Sequence, residues 1–454
     1  MSLVGPLHDI SVYQTRRERI ATWMRTEGGG IALIPTGCAR MRNADASYPF
    51  RFDSQFYYLT GFTEPDAWLI ILAPKGQSTE SWLLCQPKNP ESETWDGKRW
   101  GPDAAKEAFG FEGAASVDEL DGWMSEKLCG HSRLFAPLHR SSMPDLVSQM
   151  QRWVNTARQK SRGIKKVPTH WIDLTPTISH HRLVKDAHEL AVMRESARIA
   201  AIGHCAAMRA AKPGLTERAL EAELMAVFLR EGAQAAAYET IVATGVNACT
   251  LHHAAGASRI GEHDLVLIDA GCELNGYASD ITRTFPASGR FTPEQAALYD
   301  IVLAAQDAAT AHTAPGLSFN AGHDAAVKVL TQGLIDEGII QSSLDAAIEQ
   351  SLYRPYYMHR TGHWLGLDVH DAGPYRLTEV DTDEPDWRAL EPGMVLTIEP
   401  GLYITPGSGA PERFWNIGIR IEDDAVVTET GCALITRGVP VARKEIEALV
   451  QSGR

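Results

Sequence analysis

The stretch LVLIDAGCELNGYASDITRTFP (265–286) constrains the fold more than any other part of the chain. Two apolar, β-branched runs flank Asn275-Gly276, a dipeptide that readily takes the positive φ angles of a two-residue hairpin turn. With these as the central turn residues, position 269 pairs with 282. Side chains repeat every two residues along a strand, so Asp280 shares a face with Asp269, diagonally across the ladder. Diagonal neighbours lie about 7–8 Å apart at Cα, and closer between carboxylates. Two ionised carboxylates at that range repel unless something positive sits between them, and a metal ion is the economical answer. Thr282 and Thr284 share the acidic face, while Ile281 and Phe285 point the other way. Taken alone, such a hairpin is as readily a pair of turn-side surface acids as a pair of ligands.

At 454 residues the chain exceeds one ordinary core, and a prior of roughly 150 residues per domain suggests two or three. In its first third, GIALIPT (30–36), FYYLTGF (56–62), AWLIILA (67–73), SWLLCQ (81–86) and RLFAPL (133–138) read as strands among polar helices, an α/β domain with a mixed sheet. The basic, proline-punctuated stretch 158–176 is the expected boundary, giving domains 1–175 and 176–454. Beyond it a helix over 185–212 ends at Pro213-Gly214, and Thr216 caps the next. Thr292-Pro293-Glu294-Gln295 starts a helix towards 312, and another covers 319–337. VLTIEPGLYI (395–404) and IGIRIEDDAVV (417–427) read as strands. Helices followed by a strand pair thus occur twice, hinting at an internal duplication.

With 43 Lys plus Arg against 57 Asp plus Glu, the formal charge of -14 argues against broad nucleic-acid binding. No basic start precedes an apolar run at the N-terminus, and the longest apolar runs are strand-length, so neither signal peptide nor membrane span is expected. The seven cysteines are scattered and never spaced as CxxC, which indicates neither a disulfide framework nor a thiolate zinc site. A cytoplasmic location is the expectation.

Further residues turn the acidic hairpin towards chemistry. His363 lies in HRTGHWLGLDVHD, between His359 and His370. Glu399 interrupts the apolar run VLTIEPG, where a buried carboxylate must be paired or coordinated. In IGIRIED the isoleucines alternate against Gly418, Arg420 and Glu422. Singly, a core Glu beside an Arg is more often an ion pair, and one histidine of three more often structural. Together, two Asp, one His and two Glu on core-like strands suit a hard or borderline divalent ion: Mn²⁺ fits, with Co²⁺, Fe²⁺ or Zn²⁺ as alternatives. Five ligands including four carboxylates can hold two ions about 3.5–4 Å apart.

The stretches IDAGCELNGYASDITRTFP, HRTGHWLGLDVHD, LEPGMVLTIEPGLYI and IGIRIEDD, in this order, resemble the aminopeptidase P and prolidase group of dinuclear metallopeptidases. That group's pita-bread fold is shared with methionine aminopeptidase. DASYPFRFDSQFYYLTGFTEPDAWLII (45–71) and ETWDGKRWGPDAA (93–105) resemble the N-terminal domain of bacterial aminopeptidase P, favouring it over the smaller prolidases. The resemblance implies an aminopeptidase P-type α/β domain before an α+β pita-bread catalytic domain. It implies two metal ions on Asp269, Asp280, His363, Glu399 and Glu422, with Asp280 and Glu422 bridging. Asp269 would complete one site, His363 and Glu399 the other. A catalytic set of His252, His359, His370, Glu399 and Arg420 follows, with Tyr238, His252, His370 and Tyr403 about the substrate. The implied reaction is hydrolysis of an N-terminal Xaa-Pro bond in peptides with proline second, a hydroxide between the metals attacking the carbonyl. The alternatives are an Xaa-Pro dipeptidase and a non-catalytic binding module. Three departures bear on substrate preference: His253-Ala254-Ala255-Gly256, where the family commonly has a Tyr and more polar residues; Arg360 in place of a glycine; and a longer segment 374–393. Trp95, in TWDGKRW, resembles part of a loop that reaches a neighbouring subunit in tetrameric relatives, and reads equally as a surface aromatic. A homo-oligomer, dimer or tetramer, is expected.

Overall fold

The computed structural model describes residues 3–139, 142–377 and 386–454, which divide into two compact units, 1–181 and 182–454. Among the described residues no helix is long and apolar enough to cross a membrane.

Gly30–Pro35 and Trp68–Ala73 are buried at every position, which suits them to the middle of a sheet. They pair antiparallel from Gly30↔Ala73 to Pro35↔Trp68, inside a six-stranded mixed sheet. Glu80–Cys85 and Gly113–Ser116 extend it on one side, Arg133–Ala136 and His170–Asp173 on the other. One expectation needs correcting. The aromatic run 56–62 is mostly helix, Ser54–Thr60, every residue of which is buried. Asp53 caps it through the amides of Gln55 and Phe56, and Gly61 ends it at φ 68°. A helix buried on all sides has no 3.6-residue hydrophobic period to distinguish it from a strand. The stretch 158–176 includes the edge strand His170–Asp173.

In the second unit the helices Ala187–Ala210 and Glu217–Arg230 precede an antiparallel sheet of Ile241–Thr244, Leu265–Asp269 and Thr282–Pro286. The helices Pro293–Ala311 and Ala321–Asp336 then precede a sheet of Val395–Ile398, Asp423–Val427 and Cys432–Leu434. Capping boxes at Asp186/Glu189 and Thr292/Gln295, and Thr216 bonded to the Ala219 amide, fix the helix starts. Asn275 (φ 50°) and Gly276 (φ 82°) form the hairpin turn, and Asp269 pairs with Thr282. A Cβ on Gly271 would lie 1.6 Å from the Ser279 carbonyl oxygen, so only glycine lets the hairpin close there.

The two C-terminal strand runs are each broken. Val395–Ile398 and Gly401–Ile404 belong to different sheets, with Glu399-Pro400 at the break. Ile417–Arg420 and Asp423–Val427 likewise part at Ile421-Glu422. The Glu422 amide then donates to the Thr282 carbonyl at 3.0 Å, joining the second break to the hairpin.

Candidate metal centre

The hairpin and the two strand breaks converge. Asp269 ends the strand Leu265–Asp269, and Asp280 lies two residues before the strand Thr282–Pro286. The Tyr238 hydroxyl lies 2.6 Å from Asp269 Oδ1 and 2.5 Å from Asp280 Oδ1, and its single hydrogen can serve only one at a time. Thr282 Oγ1 donates to Glu422 Oε2 at 2.5 Å, and Thr397 Oγ1 to Glu399 Oε1 at 3.3 Å. His363 Nδ1 faces the Trp364 carbonyl at 3.0 Å, which fixes that nitrogen as a donor. Its Nε2 is thereby left towards Asp280 Oδ2 at 3.5 Å and Glu399 Oε1 at 3.7 Å. Asp280, His363 and Glu422 each offer a ligand atom within 4.8 Å of the others.

Burial raises the carboxyl pKa of Asp280 and holds that of Glu422 well above the usual range, and repulsion among the acids adds to both. Burial brings Glu399 to about 7, against the pull of His363 and Arg420. Burial opposes the charge on His363, yet Asp280 and Glu399 push it up to about 9. A buried set of hard oxygen donors and one imidazole, strained by its own negative charge, is what a divalent cation relieves. The residues present therefore fit such an ion.

Around this cluster runs a polar chain. Arg420 donates to Asp269 Oδ2 (2.5 Å), to the Tyr403 oxygen (2.9 Å) and to Thr282 Oγ1 (3.2 Å). His359 Nδ1 is committed to the Arg360 carbonyl at 2.7 Å, so its Nε2 accepts the Tyr403 hydroxyl at 2.8 Å. Burial and then Arg420 lower His359 to about 4, keeping it neutral, and burial raises Tyr403 to about 12. The exposed His370 lies against His363, ring centroids 4.2 Å apart. The structure thus gathers Tyr238, Asp269, Asp280, His359, His363, His370, Glu399, Tyr403, Arg420 and Glu422. His252 stands apart, exposed on its loop, with no hydrogen bond or ion pair to the cluster.

Two buried groups escaped sequence reasoning. Asp424 Oδ2 accepts the Asp280 amide at 3.1 Å, and Arg283 donates to the Glu422 carbonyl at 2.6 Å and to Asp423 Oδ1 at 2.8 Å. The available signal was charge inside apolar strand runs, which demands buried partners. Arg360 bonds Asn320 and lies over the Trp387 ring at 4.6 Å; part of the segment 374–393, residues 378–385, lies outside the described residues. Trp95 is 84% exposed.

Residues 191–429 match the model of metallopeptidase family M24, and residues 13–135 that of the aminopeptidase P N-terminal domain. The chain is 39% identical over 452 residues to the Xaa-Pro aminopeptidase of Escherichia coli K12, covering 99% of this chain and all of that one. The structure matches Pseudomonas aeruginosa aminopeptidase PepP with a TM-score of 0.93 at 42% identity, covering 98% and 99% of the two chains. It matches zinc-substituted E. coli aminopeptidase P in complex with product with the same TM-score, at 39% identity and the same coverage. Fold and site together define a metallopeptidase, and the chain belongs to family M24. With its N-terminal domain and these relatives it is a metallo-aminopeptidase of the aminopeptidase P type, with the pita-bread catalytic fold, and a prolidase is not favoured.

Proposed function

We propose that the chain removes the first residue from peptides with proline second, using two divalent ions, manganese in the first instance. The observation that carries this is the convergence of Asp269, Asp280, His363, Glu399 and Glu422, with Asp280, His363 and Glu422 offering ligand atoms within 4.8 Å. Asp280 and Glu422 would hold both ions, Asp269 one, and His363 with Glu399 the other. Divalent ions held there supply Lewis acidity and bring a water's pKa towards neutrality.

The remaining steps belong to the side chains. An Xaa-Pro bond lacks an N–H, so the site must grip the proline ring and the flanking groups instead. Tyr238 lies on the proline side, with His252 along the pocket. His370 donates to the developing oxyanion, and donors of that kind are worth roughly 3–4 kcal/mol. Glu399 would carry a proton to the leaving proline nitrogen. Arg420 and Tyr403 keep Asp269 and His359 oriented through the contacts at 2.5, 2.9 and 2.8 Å.

Residues 1–175 would form the aminopeptidase P-type domain and 176–454 the catalytic one, in a cytoplasmic homo-oligomer, dimer or tetramer. The test is hydrolysis of Ala-Pro-Ala and Ala-Pro by metal-stripped protein, with and without Mn²⁺. Tripeptide cleavage restored by Mn²⁺ supports the proposal. Cleavage of the dipeptide alone, or of neither, overturns it.

A further inference from the structure

Glu217 opens the helix Glu217–Arg230 and is fully buried. Its Oε1 accepts the Thr244 amide (3.0 Å) and Asn247 Nδ2 (2.9 Å). Its Oε2 accepts His253 Nε2 (2.9 Å) and the Gly256 amide (3.1 Å). Four donors occupy the acceptor positions of the carboxylate, so no oxygen lone pair is left for another role. These donors are spread along the loop that leaves the strand Ile241–Thr244, turns through Gly245–Cys249 and carries His252. The next residue, Arg218, adds its amide to the Gly256 carbonyl (3.0 Å) and its guanidinium to that of Ala255 (2.9 Å).

The near side of the loop is held differently. Gly418 lets the strand Ile417–Arg420 press on Ala248, where a Cβ would lie 2.3 Å from the Ala248 carbonyl oxygen. His252 therefore stands between two clamped points while its own side chain is exposed. Between positions 245 and 256 only Ala248 and Ala255 are buried, so apolar packing holds little of this loop. Charge-assisted hydrogen bonds to one carboxylate do that work instead, and they are about twice as strong as neutral ones.

We propose that Glu217 is a positioning residue which, through His253 and the loop backbone, sets the place of His252 in the substrate pocket. The inference rests on the proposed role of His252 there.

Replacing Glu217 would strand four donors and could prevent folding, so the test uses His253. In Mn²⁺-loaded enzyme, H253A should lower kcat/KM for Ala-Pro-Ala about tenfold, chiefly through KM, for one lost charge-assisted bond. Amide exchange should rise over residues 245–259, with the Mn²⁺-binding isotherm unchanged. H253Q, which keeps an N–H donor, should stay within about twofold of the parent. In an H252A background, H253A should cost nothing more, because it acts only through His252. An equal loss in both backgrounds, or an unchanged kcat/KM in H253A, overturns the proposal. So does an H252A enzyme as active as the parent, a result that leaves Xaa-Pro hydrolysis standing. Failure of the unaltered enzyme to cleave the tripeptide would overturn the proposed function itself and is separately visible.

Discussion

Replacing Arg283 with Met should destabilise the catalytic unit by about 4 kcal/mol, a figure built from its contacts. Arg283 is fully buried, on the strand that follows Asp280. It donates to Asp423 Oδ1 (2.8 Å) and to the carbonyls of Glu422 (2.6 Å), Thr282 (2.9 Å), Val439 (3.1 Å) and Pro440 (3.1 Å). Thr282 keeps the Glu422 amide as a partner, and Asp423 keeps Thr436, Gln306 and Arg437. The carbonyls of Glu422, Val439 and Pro440 lose a donor, at about 1 kcal/mol each, and the lost ion pair adds about 1 kcal/mol more. The sum falls within the 3–5 kcal/mol usual for breaking a buried pair from one side. At about 2–4 °C per kcal/mol for a unit of this size, Tm should fall by roughly 8–16 °C. Calorimetry of chelated protein at neutral pH reads the shift without metal linkage, and R283K, which keeps the charge, should fall between. A change under about 2 °C would show that water or relaxation replaces those bonds, and that Arg283 does not hold the Glu422 backbone.

Glu422→Ala should abolish turnover and metal occupancy together, read by peptide hydrolysis and metal titration; full metal and full rate would discard the five-ligand assignment. His204 is buried, donates Nε2 to the Ala270 carbonyl at 2.8 Å, and is lowered by burial to about 4 from 6.5. Its unfolded form binds the proton first, so stability should drop as pH falls from 6.5 towards 4, by on the order of 3 kcal/mol. H204Q, which keeps a donor, should flatten that slope in thermal melts, and equal slopes would refute the assignment. Glu399 has the opposite sign: its folded pKa, about 7, exceeds the ordinary 4.5, so its stabilising contribution is present at low pH and lost as pH rises through 7. Divalent-ion binding near pH 6 should accordingly release protons, seen as calorimetric enthalpies that vary with the buffer's ionisation enthalpy. Invariance between buffers would refute it.

What was legible in the chain followed from strong local signals. Asn275-Gly276 with alternating neighbours determines the hairpin register, and Asp269 does pair with Thr282. The helix at 54–60 was not legible, because its aromatic residues are buried all round and only Asp53 and Gly61, its caps, mark it as helical. Pairings such as Arg283 with Asp423 were hidden for another reason: hydrogen bonds between distant segments leave no local period. The proposed ligands show why motif spacing outperformed pattern reading at the centre. Asp280, Glu399 and Glu422 all lie outside the strand bounds, at the hairpin's interruption or where a strand changes sheets. A regular pleat sends successive side chains to opposite faces and keeps one face flat, so it cannot turn carboxylates from separate sheets onto one point. The breaks do so, and Pro400, unable to donate to a ladder, holds one of them open. Apolar runs that continue across a break conceal it from periodicity, while the acid placed there is its local trace.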